Sequence, residues 1–528
     1  MSAPEIATIS ARVSGDEKDV KAAQEVDVGD VGSIDMEKGT APTFYSKASV
    51  YLMMLFSGLA LGSDGYNAAV MGNLNLLLTV IYPDTLSKSM KARLSNAFLI
   101  GMIVGMVGFG VVVDQLGRKT GAIMTTIILL VGIALSTGAS GTTPLGLFWM
   151  LVVARGIAGV GAGGEYPVSG MLKCNGFLHE LLLIMSGAGA LEASDEAGHF
   201  RKRRGFIFAM VGDLAAGLGY CFGALVPLLL LLCVKQRVDK YEIVWRTALA
   251  LGAIPPLSIF WFRVRMRIST AYRKSALRKQ KTPYVLIVKK YYRRLFGAAL
   301  SWFLYNWISI PFGIFSSTII SRMNASNSLV QNMGWGVVIN AFYLPGPFIG
   351  GYLSDKIGRR KTMCLGYALQ ALLGFILGGA NQQIQTVFPL FIVMYGIFLT
   401  LGEVGPGSTV VISATEPFPT SIRGHTMGLI SAFSKAGAAI GTQVFTAIMN
   451  SYADADKANQ VAFLVGSAFA VVGALNAWFV VQDGSKVLDN EDEIWKEYLI
   501  ANGWDASWGD METEDPAKTR KQELLPTS

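Results

Sequence analysis

Long apolar runs separated by short polar segments fill the chain from residue 49 to residue 482. Each run is close to the roughly 20 apolar residues that a helix needs to cross a bilayer. Twelve such runs can be counted, at residues 49–70, 94–113, 122–140, 146–171, 205–233, 243–262, 297–320, 333–353, 363–380, 387–413, 427–449 and 461–482. The pattern predicts an all-α membrane protein with twelve transmembrane helices in a lipid bilayer.

The composition agrees with this pattern and excludes other classes of protein. Apolar residues make up 52% of the 528 residues and charged residues only 16%, against about 25% charged in a typical soluble protein. The four cysteines and three histidines are too scattered for a metal site. No nucleophile with a matching base and no cofactor-binding loop occurs, so we expect neither catalytic residues nor a bound cofactor.

Charge is divided unevenly along the chain. The tails carry net charges of −4 (residues 1–48) and −7 (residues 483–528), so the middle of a chain of net charge +8 holds +19. Residues 263–294 contain twelve Lys and Arg and no acidic residue. These bases lie in short loops between apolar runs, which indicates membrane orientation and no nucleic-acid binding. The positive-inside rule then places both termini and the central basic loop in the cytoplasm.

The apolar runs and the charges together divide the chain into segments. The predicted segments are a disordered cytoplasmic tail (1–48), an N-terminal six-helix half (49–262), a basic cytoplasmic loop (263–296), a C-terminal six-helix half (297–482) and an acidic cytoplasmic tail (483–528). The acidic tail is expected to be solvated and disordered, with a helix-prone stretch at 486–497 near the basic loops. Residues 172–195 are an atypical insert: an interfacial helix, a disordered insert and a translated intron are the alternatives.

A charged turn occurs twice in the chain. The motif D-x-x-G-R-[KR] follows span two, beginning at Asp114, and follows span eight, beginning at Asp355. A weaker pairing of an acidic with a basic residue, beginning at Glu196 and Glu416, follows spans four and ten. Repetition at matching positions six spans apart predicts two halves in parallel register, as alternating access requires.

Charged residues at these turns and in span four are candidates for a cytoplasmic gate. Aspartates at helix ends and arginines that bridge helices can hold an outward-open state and separate when the halves rock. The alternative is that these charges only set the topology. The predicted gating residues are Asp114, Arg118, Arg155, Asp355, Arg359, Glu416 and Arg423.

Ionisable side chains inside the apolar spans are the strongest indication of function. Each costs roughly 2.5–3.5 kcal/mol at mid-helix on insertion scales, so it serves a function or reaches water from near a span end. Lys435 lies well inside span eleven, so we expect its ammonium to face a cavity between the halves and to attract a phosphate. The complete set is Asp64, Arg155, Glu165, Asp213, Glu403 and Lys435.

Two of the carboxylates lie where their helices are interrupted. Asp64 lies between glycines, and Glu403 lies where Gly and Pro break span ten. A cavity-facing carboxylate in a low dielectric can take up and release a proton near neutrality, and a broken helix often lines a cavity. The predicted proton-coupling residues are Asp64, Glu165, Asp213 and Glu403.

Aromatic and amide side chains complete the predicted substrate site. For each of them, helix packing or an interfacial belt is the alternative. In the outer loop after span seven, Asn324 begins a glycosylation sequon. The predicted substrate-binding residues are Lys435, Tyr66, Tyr166, Trp302, Tyr305, Asn306 and Gln443.

Several motifs resemble one transporter family. The repeated turns and Arg155-x-x-x-Gly159-x-Gly161-x-Gly163 in span four resemble the major facilitator superfamily over about residues 45–500. Segments similar to its phosphate and organic-phosphate proton symporter branch lie at residues 163–167, 302–305 and 434–437. Segments similar to the fungal glycerophosphoinositol permeases lie at residues 63–67, 262–266 and 311–317.

The resemblance implies a monomeric, multi-pass plasma-membrane permease. It would import a small anionic glycerophosphodiester such as glycerophosphoinositol by alternating access, with a proton as the coupling ion. The resemblance assigns substrate contact or proton coupling to Lys435 and proton coupling to Asp64. The alternatives are an inorganic phosphate–proton symporter and, in another class, a nutrient sensor that binds without transport.

Two positions depart from the phosphate symporters. Those proteins carry an aspartate in span seven where this chain has Asn306, and an amide cannot titrate. The other carboxylates, Asp64, Asp213 or Glu403, would then have to carry the proton. Those proteins also carry an asparagine where this chain has Gly407, which favours a substrate larger than inorganic phosphate.

Overall fold

The computed structural model describes residues 47–116, 118–170, 203–265, 283–323, 328–419, 422–452, 454–483 and 491–504. All regular secondary structure within these ranges is helical, so the predicted all-α class is confirmed for this part of the chain. The insert at 172–195, the sequon at Asn324, most of the N-terminal tail and residues 266–282 of the basic loop lie outside the described residues.

Helical pieces that follow one another closely carry one label. The bounds are α1 Lys47–Ile81, α2 Lys88–Leu116, α3 Arg118–Thr137, α4 Pro144–Gly170, α5 Arg204–Phe208 with Ala209–Leu214 and Ala215–Cys233, α6 Tyr241–Leu251 with Ile254–Arg265, α7 Tyr284–Ile314 with Ser316–Met323, α8 Leu329–Ala341 with Pro345–Ile357, α9 Arg359–Gly379, α10 Phe388–Gly402 with Glu403–Gly407 and Ser408–Ser413, α11 Arg423–Ser451, α12 Ala455–Phe479 and α13 Glu491–Ala501. Short helical pieces at Val238–Lys240 and Asn381–Gln385 precede α6 and α10.

Nine helices of the described part are long and apolar enough to cross a membrane. Their outward faces are apolar, as lipid contact requires: on α9, for example, Leu372, Phe375 and Ile376 are exposed. Most helix ends lie within a few residues of the predicted spans. The largest differences are the end of α1 at Ile81 and the start of α7 at Tyr284.

The extension of α1 past its predicted end is explained by internal partners for its polar side chains. Asn73 Nδ2 donates to the carbonyl of Ala224 at 2.6 Å, and Asn75 Nδ2 donates to Ser95 Oγ at 3.0 Å. These bonds let a helix with two amides stay inside the bundle. The helix ends one residue before the Tyr82-Pro83 pair, because the residue before a proline disfavours helical geometry.

The helices pair in the same way in both halves of the chain. In the first half, α1 packs on α5, α2 on α4 and α3 on α6. In the second half, α7 packs on α11, α8 on α10 and α9 on α12, which are the same pairs six helices later. The halves meet through α2 with α11 and α5 with α8, again equivalent pairs. The repeated turn motif is therefore accompanied by a repeated packing arrangement.

The turn motif itself has a backbone reason for its glycine. Gly358 joins α8 to α9 with φ of +94°, a conformation that residues with a Cβ rarely adopt. The turn lets α9 begin directly after α8, with Thr362 N donating to the carbonyl of Gly358.

Glycines bring α2 and α4 into direct backbone contact. A Cβ on Gly101 or Gly105 would meet carbonyl oxygens of α4, and a Cβ on Gly159 or Gly163 would meet carbonyl oxygens of α2. Such small-residue faces allow close helix packing where the hydrophobic effect does not drive association. The glycines of span four thus define the α2–α4 pair.

Aromatic side chains fill the core of the second half. The ring of Phe312 lies 4.9–5.9 Å from those of Tyr395, Phe398, Phe445 and Phe463, mostly edge to face. The contacts join α7, α10, α11 and α12. Edge-to-face pairs of this kind add packing energy beyond buried area, so they make this half a rigid unit.

Helix α13, in the acidic tail, packs against the start of α7 and is not disordered. Trp495 and Leu499 are buried, and Glu491 pairs with Arg294 at 3.0 Å. Tyr291 donates to Glu491 Oε1 at 2.8 Å, and Lys290 lies 4.8 Å from the ring centre of Tyr498. Apolar burial on one face and charge pairing on the other order this part of the tail.

We predict that Gly163→Ala destabilises the fold. The added methyl would press on the backbone of Met102, and such overpacking costs about 1–3 kcal/mol. Gly379→Ala is the matched control, because a Cβ there meets nothing within 4 Å. Thermal unfolding of the purified variants tests this: a lower midpoint is expected for Gly163→Ala alone. Equal midpoints would contradict the close α2–α4 contact.

Candidate functional site

A cavity lies between the two halves, near the middle of the helices. Its volume is about 100 Å³, and it is lined by residues of α1, α4, α5, α7, α10 and α11. The predicted site residues along its wall are Asp64, Glu165, Tyr166, Asp213, Trp302, Tyr305, Asn306 and Lys435. Residues that are far apart in sequence thus meet at the interface between the halves.

Lys435 supplies the positive charge of the cavity. Its ammonium lies 5.7 Å from the centre of the Tyr166 ring, an arrangement that favours a cation. Asp64, on α1, borders the same cavity as Tyr166 and attracts this ammonium. The arrangement links α1 and α4 of one half to α11 of the other.

A pair of carboxyl groups forms the second cluster. Asp213 of α5 and Glu403 of α10 bring their carboxyl groups together across the interface, since a Cβ on Gly407 would contact oxygens of both. Two carboxyl groups can share a hydrogen bond only when one of them carries a proton, because like charges at this distance repel. Tyr305 donates to Glu403 Oε2 at 2.6 Å, and Ser408 donates to Asp213 Oδ2 at 3.2 Å.

Both members of this pair lie on interrupted helices. Asp213 belongs to the π-helical segment Ala209–Leu214, and Glu403 begins the π-helical segment Glu403–Gly407. Pro406 explains the second segment, since it has no amide hydrogen to donate within the helix. Such π segments commonly occur at functional sites, and these two bring the carboxyl groups together.

Gly407 makes room for the pair. A Cβ at this position would contact Glu403 Oε2 and both carboxylate oxygens of Asp213. Position 407 is also where the sequence comparison with phosphate symporters predicted extra space. In this structure the side chain of Glu403 occupies part of that space, so the absence of a side chain at 407 allows carboxyl pairing.

Asn306 and Trp302 lie on α7 and are both buried at the cavity. Asn306 Nδ2 donates to Ser434 Oγ at 3.2 Å, next to Lys435 on α11. Glu165 is 7% exposed and borders the same cavity. Among the described residues, no group of three or more His, Cys, Asp or Glu is placed to hold a metal ion.

Two residues predicted to bind substrate lie outside the cavity. Tyr66 donates to the carbonyl of Ala248 at 2.6 Å, within the first half. It follows Asp64 by two positions, which places it on the opposite face of α1. Gln443 is exposed on α11, two turns from Lys435 and rotated away from it. Helical phase therefore separates both residues from the site.

Asp355 joins the two halves at one end of the molecule. We call the end at which α7 begins and α8 ends the basic side, and the opposite end the far side. Asp355 accepts hydrogen bonds from the backbone N–H groups of Gly205 at 2.7 Å and Phe206 at 2.9 Å. An aspartate of α8 thus caps the N-terminus of α5 in the other half.

The remaining gating candidates have different positions. Arg359 pairs with Asp355 at 3.5 Å and with Glu416 at 3.1 Å, on the basic side. Arg155 is buried within the first half, where it donates to the carbonyls of Leu94 and Asn67. It therefore joins α4 to α1 and α2 within one half. The side chains of Asp114, Arg118 and Arg423 lie outside the described residues.

Sequence reasoning missed two polar groups of this interface. Tyr220 borders the cavity and stacks on Tyr343 of the other half, with ring centres 5.6 Å apart. Ser408 Oγ donates a hydrogen bond to Asp213 Oδ2. Tyr220 lies seven residues after Asp213, and that two-turn spacing on one helix was the available signal. Ser408 carried no such signal.

The sequence profile described as sugar (and other) transporter matches residues 50–173 and 267–484. Glycerophosphoinositol permease 1 of Candida albicans is 35% identical over 88% of this chain and 85% of its own length. This chain belongs to the major facilitator superfamily. A glycerophosphocholine permease of the same organism is 34% identical over 85% of this chain and 82% of its own length.

A solved major facilitator structure supports the same fold. The proton:xylose symporter XylE of E. coli, bound to 6-bromo-6-deoxy-D-glucose, has a TM-score of 0.66 and covers 85% of this chain and 100% of its own. Its identity is 17%, so the likeness concerns the fold alone. The similarity of this major facilitator protein to permeases identifies it as a multi-pass transporter and not an enzyme.

We predict that Asp355→Ala loosens the basic side of this major facilitator protein. Ala209 is buried where α5 meets Gly351 of α8, so a cysteine at 209 should react with a water-soluble maleimide only when the halves separate. In a chain with its four native cysteines replaced by serine, Ala209→Cys should label several-fold faster after Asp355→Ala, because the α5 cap is lost.

Asp454→Ala is the matched control for this experiment. Asp454 also caps a helix, accepting from Asp456 N at 2.9 Å, but it does so within α12 on the far side. Labelling at 209 should not change in that variant. Equal labelling rates with and without Asp355 would show that this residue does not hold the halves together.

Proposed function

We propose that this protein imports a glycerophosphodiester, such as glycerophosphoinositol, together with protons by alternating access. The single observation that carries the proposal is the cavity between the halves, in which Lys435 lies over Tyr166 beside Asp64. A fixed ammonium in a low-dielectric cavity is suited to a phosphodiester anion. The relatives that share most of this chain are named as permeases of glycerophosphoinositol and glycerophosphocholine.

Substrate and proton binding are coupled through Lys435 in this proposal. Asp64 competes with an incoming phosphodiester for the ammonium, since both are anions. Protonation of Asp64 removes that competition and leaves the charge of Lys435 to the substrate. A proton and an anion therefore favour each other's binding, which is the reciprocity that symport needs.

The carboxyl pair is the second element of proton coupling. Asn306 of α7 cannot titrate. Asp213 of α5 and Glu403 of α10 are titratable groups near it, and its neighbour Tyr305 donates a hydrogen bond to Glu403. Loss of the shared proton would leave two carboxylates in contact, and their repulsion would separate α5 from α10. The shared proton thus connects the two halves. Its release on the basic side favours the movement of one half against the other.

The contacts between the halves support an outward-facing conformation. Asp355 joins the halves on the basic side, and the cavity of about 100 Å³ is smaller than the roughly 300–1,000 Å³ of typical small-molecule sites. The interface must widen before a glycerophosphodiester can enter. In the proposed orientation the basic side faces the cytoplasm, α1 to α12 each span a fungal plasma membrane, and the protein acts as a monomer.

Uptake by a transport-deficient fungal strain tests the proposal. Labelled glycerophosphoinositol is supplied at acidic and neutral pH, with inorganic phosphate as competitor. We expect uptake that rises at acidic pH and resists phosphate. Uptake of phosphate alone would indicate a phosphate–proton symporter, and no uptake by protein present at the surface would indicate a sensor; either result would contradict the proposal.

We predict that Lys435→Ala lowers glycerophosphoinositol uptake roughly a hundredfold, because removing a buried charge partner costs several kcal/mol of binding. Lys457→Ala, which removes a charge from an exposed position on the far side, is the matched control. Surface expression of both variants is measured in parallel. Normal uptake by Lys435→Ala would remove the basis of the proposed site.

A further inference from the structure

A second and larger cavity lies between the halves on the far side. Its volume is about 430 Å³, and its wall combines the end of α1 and the start of α2 with the far-side ends of α7, α8 and α11. No predicted site residue lines it. It lies at the end opposite Asp355, on the side from which substrate would approach.

Two buried asparagines at this cavity have acceptor atoms without hydrogen-bond partners in the described part of the chain. Asn75 of α1 is 4% exposed and Asn332 of α8 is 8% exposed, and both line the cavity. The Oδ1 atom of each accepts no hydrogen bond there. An amide oxygen left without a partner in a buried position costs about 1–3 kcal/mol, so a ligand that donates to it gains affinity.

The hydroxyl groups of the wall are also arranged as acceptors. Each of three hydroxyl groups donates its proton to a carbonyl in the preceding turn of its own helix. The bonds run from Thr79, Ser321 and Thr446, at 2.6, 2.9 and 2.8 Å. Their oxygen lone pairs therefore remain for a ligand. The wall presents oxygen acceptors from both halves, which suits a molecule with several hydroxyl donors.

The cavity is also bordered by a lysine and two stacked aromatic rings, and it is separated from the central cavity. Lys91 of α2 borders the same cavity, so an anionic group is favoured at that edge. Phe315 and Phe445 stack with ring centres 5.3 Å apart and an angle of 11°, and both line the cavity. Towards the centre, a Cβ on Gly72 of α1 would meet the carbonyl of Ile314 on α7, so the halves touch between the two cavities.

We propose that the far-side cavity is a second substrate site, which binds the polyhydroxyl headgroup of a glycerophosphodiester before it enters the central cavity. The inference rests on the proposed function and names a headgroup class for it. Asn75 and Asn332 accept hydroxyl protons of the polyol, and the phosphate lies towards Lys91. A choline headgroup has no hydroxyl donor for these oxygens, so the site favours inositol over choline.

The first test measures binding of labelled glycerophosphoinositol to the purified protein. The wild type should bind two molecules per chain, and Lys435→Ala should keep one weaker site. Adding Asn332→Leu to Lys435→Ala should weaken the remaining binding about three- to tenfold, the loss of one hydrogen bond, whereas adding Asn96→Leu should not change it. Asn96 is a matched control, because it is a buried asparagine of α2 without hydrogen-bond partners in the described chain and outside this cavity.

The second test uses transport kinetics of the single variants. Asn332→Leu and Asn75→Leu should each raise KM for glycerophosphoinositol about three- to tenfold, the loss of one hydrogen bond. KM for glycerophosphocholine should change less than about twofold, and kcat should be unchanged for both substrates. Surface expression and thermal stability show whether each variant is folded, and Asn75→Ser replaces Asn75→Leu where folding fails.

The outcomes separate this inference from the proposed function. One bound molecule per chain in the wild type, absent in Lys435→Ala, would overturn the second site and leave the central one intact. An equal rise in KM for both headgroups would overturn the polyol preference. No binding and no uptake of any glycerophosphodiester by the wild type would overturn the proposed function and the second site with it.

Discussion

A charge inside a membrane protein must be neutralised by a neighbour, and the interface between the two halves is organised by this constraint. Insertion of one unpaired charge costs roughly 2.5–3.5 kcal/mol on biological scales. Lys435 is attracted by Asp64, and the carboxyl groups of Asp213 and Glu403 lie together beside Gly407. Each arrangement has one member in each half. The charge of Lys435 is therefore compensated where the halves meet, whereas the two carboxyl groups repel each other there unless one carries a proton.

Because the interacting charged side chains lie in different halves, the contact between the halves can depend on the ligands that bind them. A proton or an anion that binds one member changes the attraction that holds its partner. In the proposed function, the carboxyl pair depends on a shared proton, and the Lys435–Asp64 attraction depends on whether a phosphodiester replaces Asp64. On the basic side, Asp355 accepts hydrogen bonds from two backbone N–H groups of α5. In the proposed function, the contacts that depend on ligands thus lie in the middle of the molecule, and the contact that closes the interface lies on the basic side.

The sequence was sufficient to predict the all-helical class of the described part and eight of the residues that border the central cavity. Apolar runs fixed the spans because each is as long as a bilayer is thick, and the rarity of charge inside them selected Lys435, Asp64, Asp213 and Glu403. Helical phase explains why two predicted substrate-binding residues do not border this cavity. Tyr66 lies on the face of α1 opposite Asp64, and Gln443 is rotated away from Lys435 on α11.

Pairing across the halves could not be predicted, because it depends on how two separately packed units meet. Nothing in the local sequence indicates that Asp213 lies against Glu403, or that Asn332 and Asn75 border one cavity. The π segment of α5 has no proline to reveal it, unlike that of α10. The order of α13 depends on Trp495 reaching a surface formed by the start of α7.

Infrared difference spectroscopy of the purified protein tests the central claim most directly, because a protonated carboxyl group has a C=O stretching band that a carboxylate lacks. Spectra of the wild type and Glu403→Gln are compared at neutral pH, with and without glycerophosphoinositol. We predict a protonated-carboxyl band in the wild type that is absent in Glu403→Gln and shifts when substrate binds. Identical carboxyl bands in the two proteins would contradict a proton shared between Asp213 and Glu403.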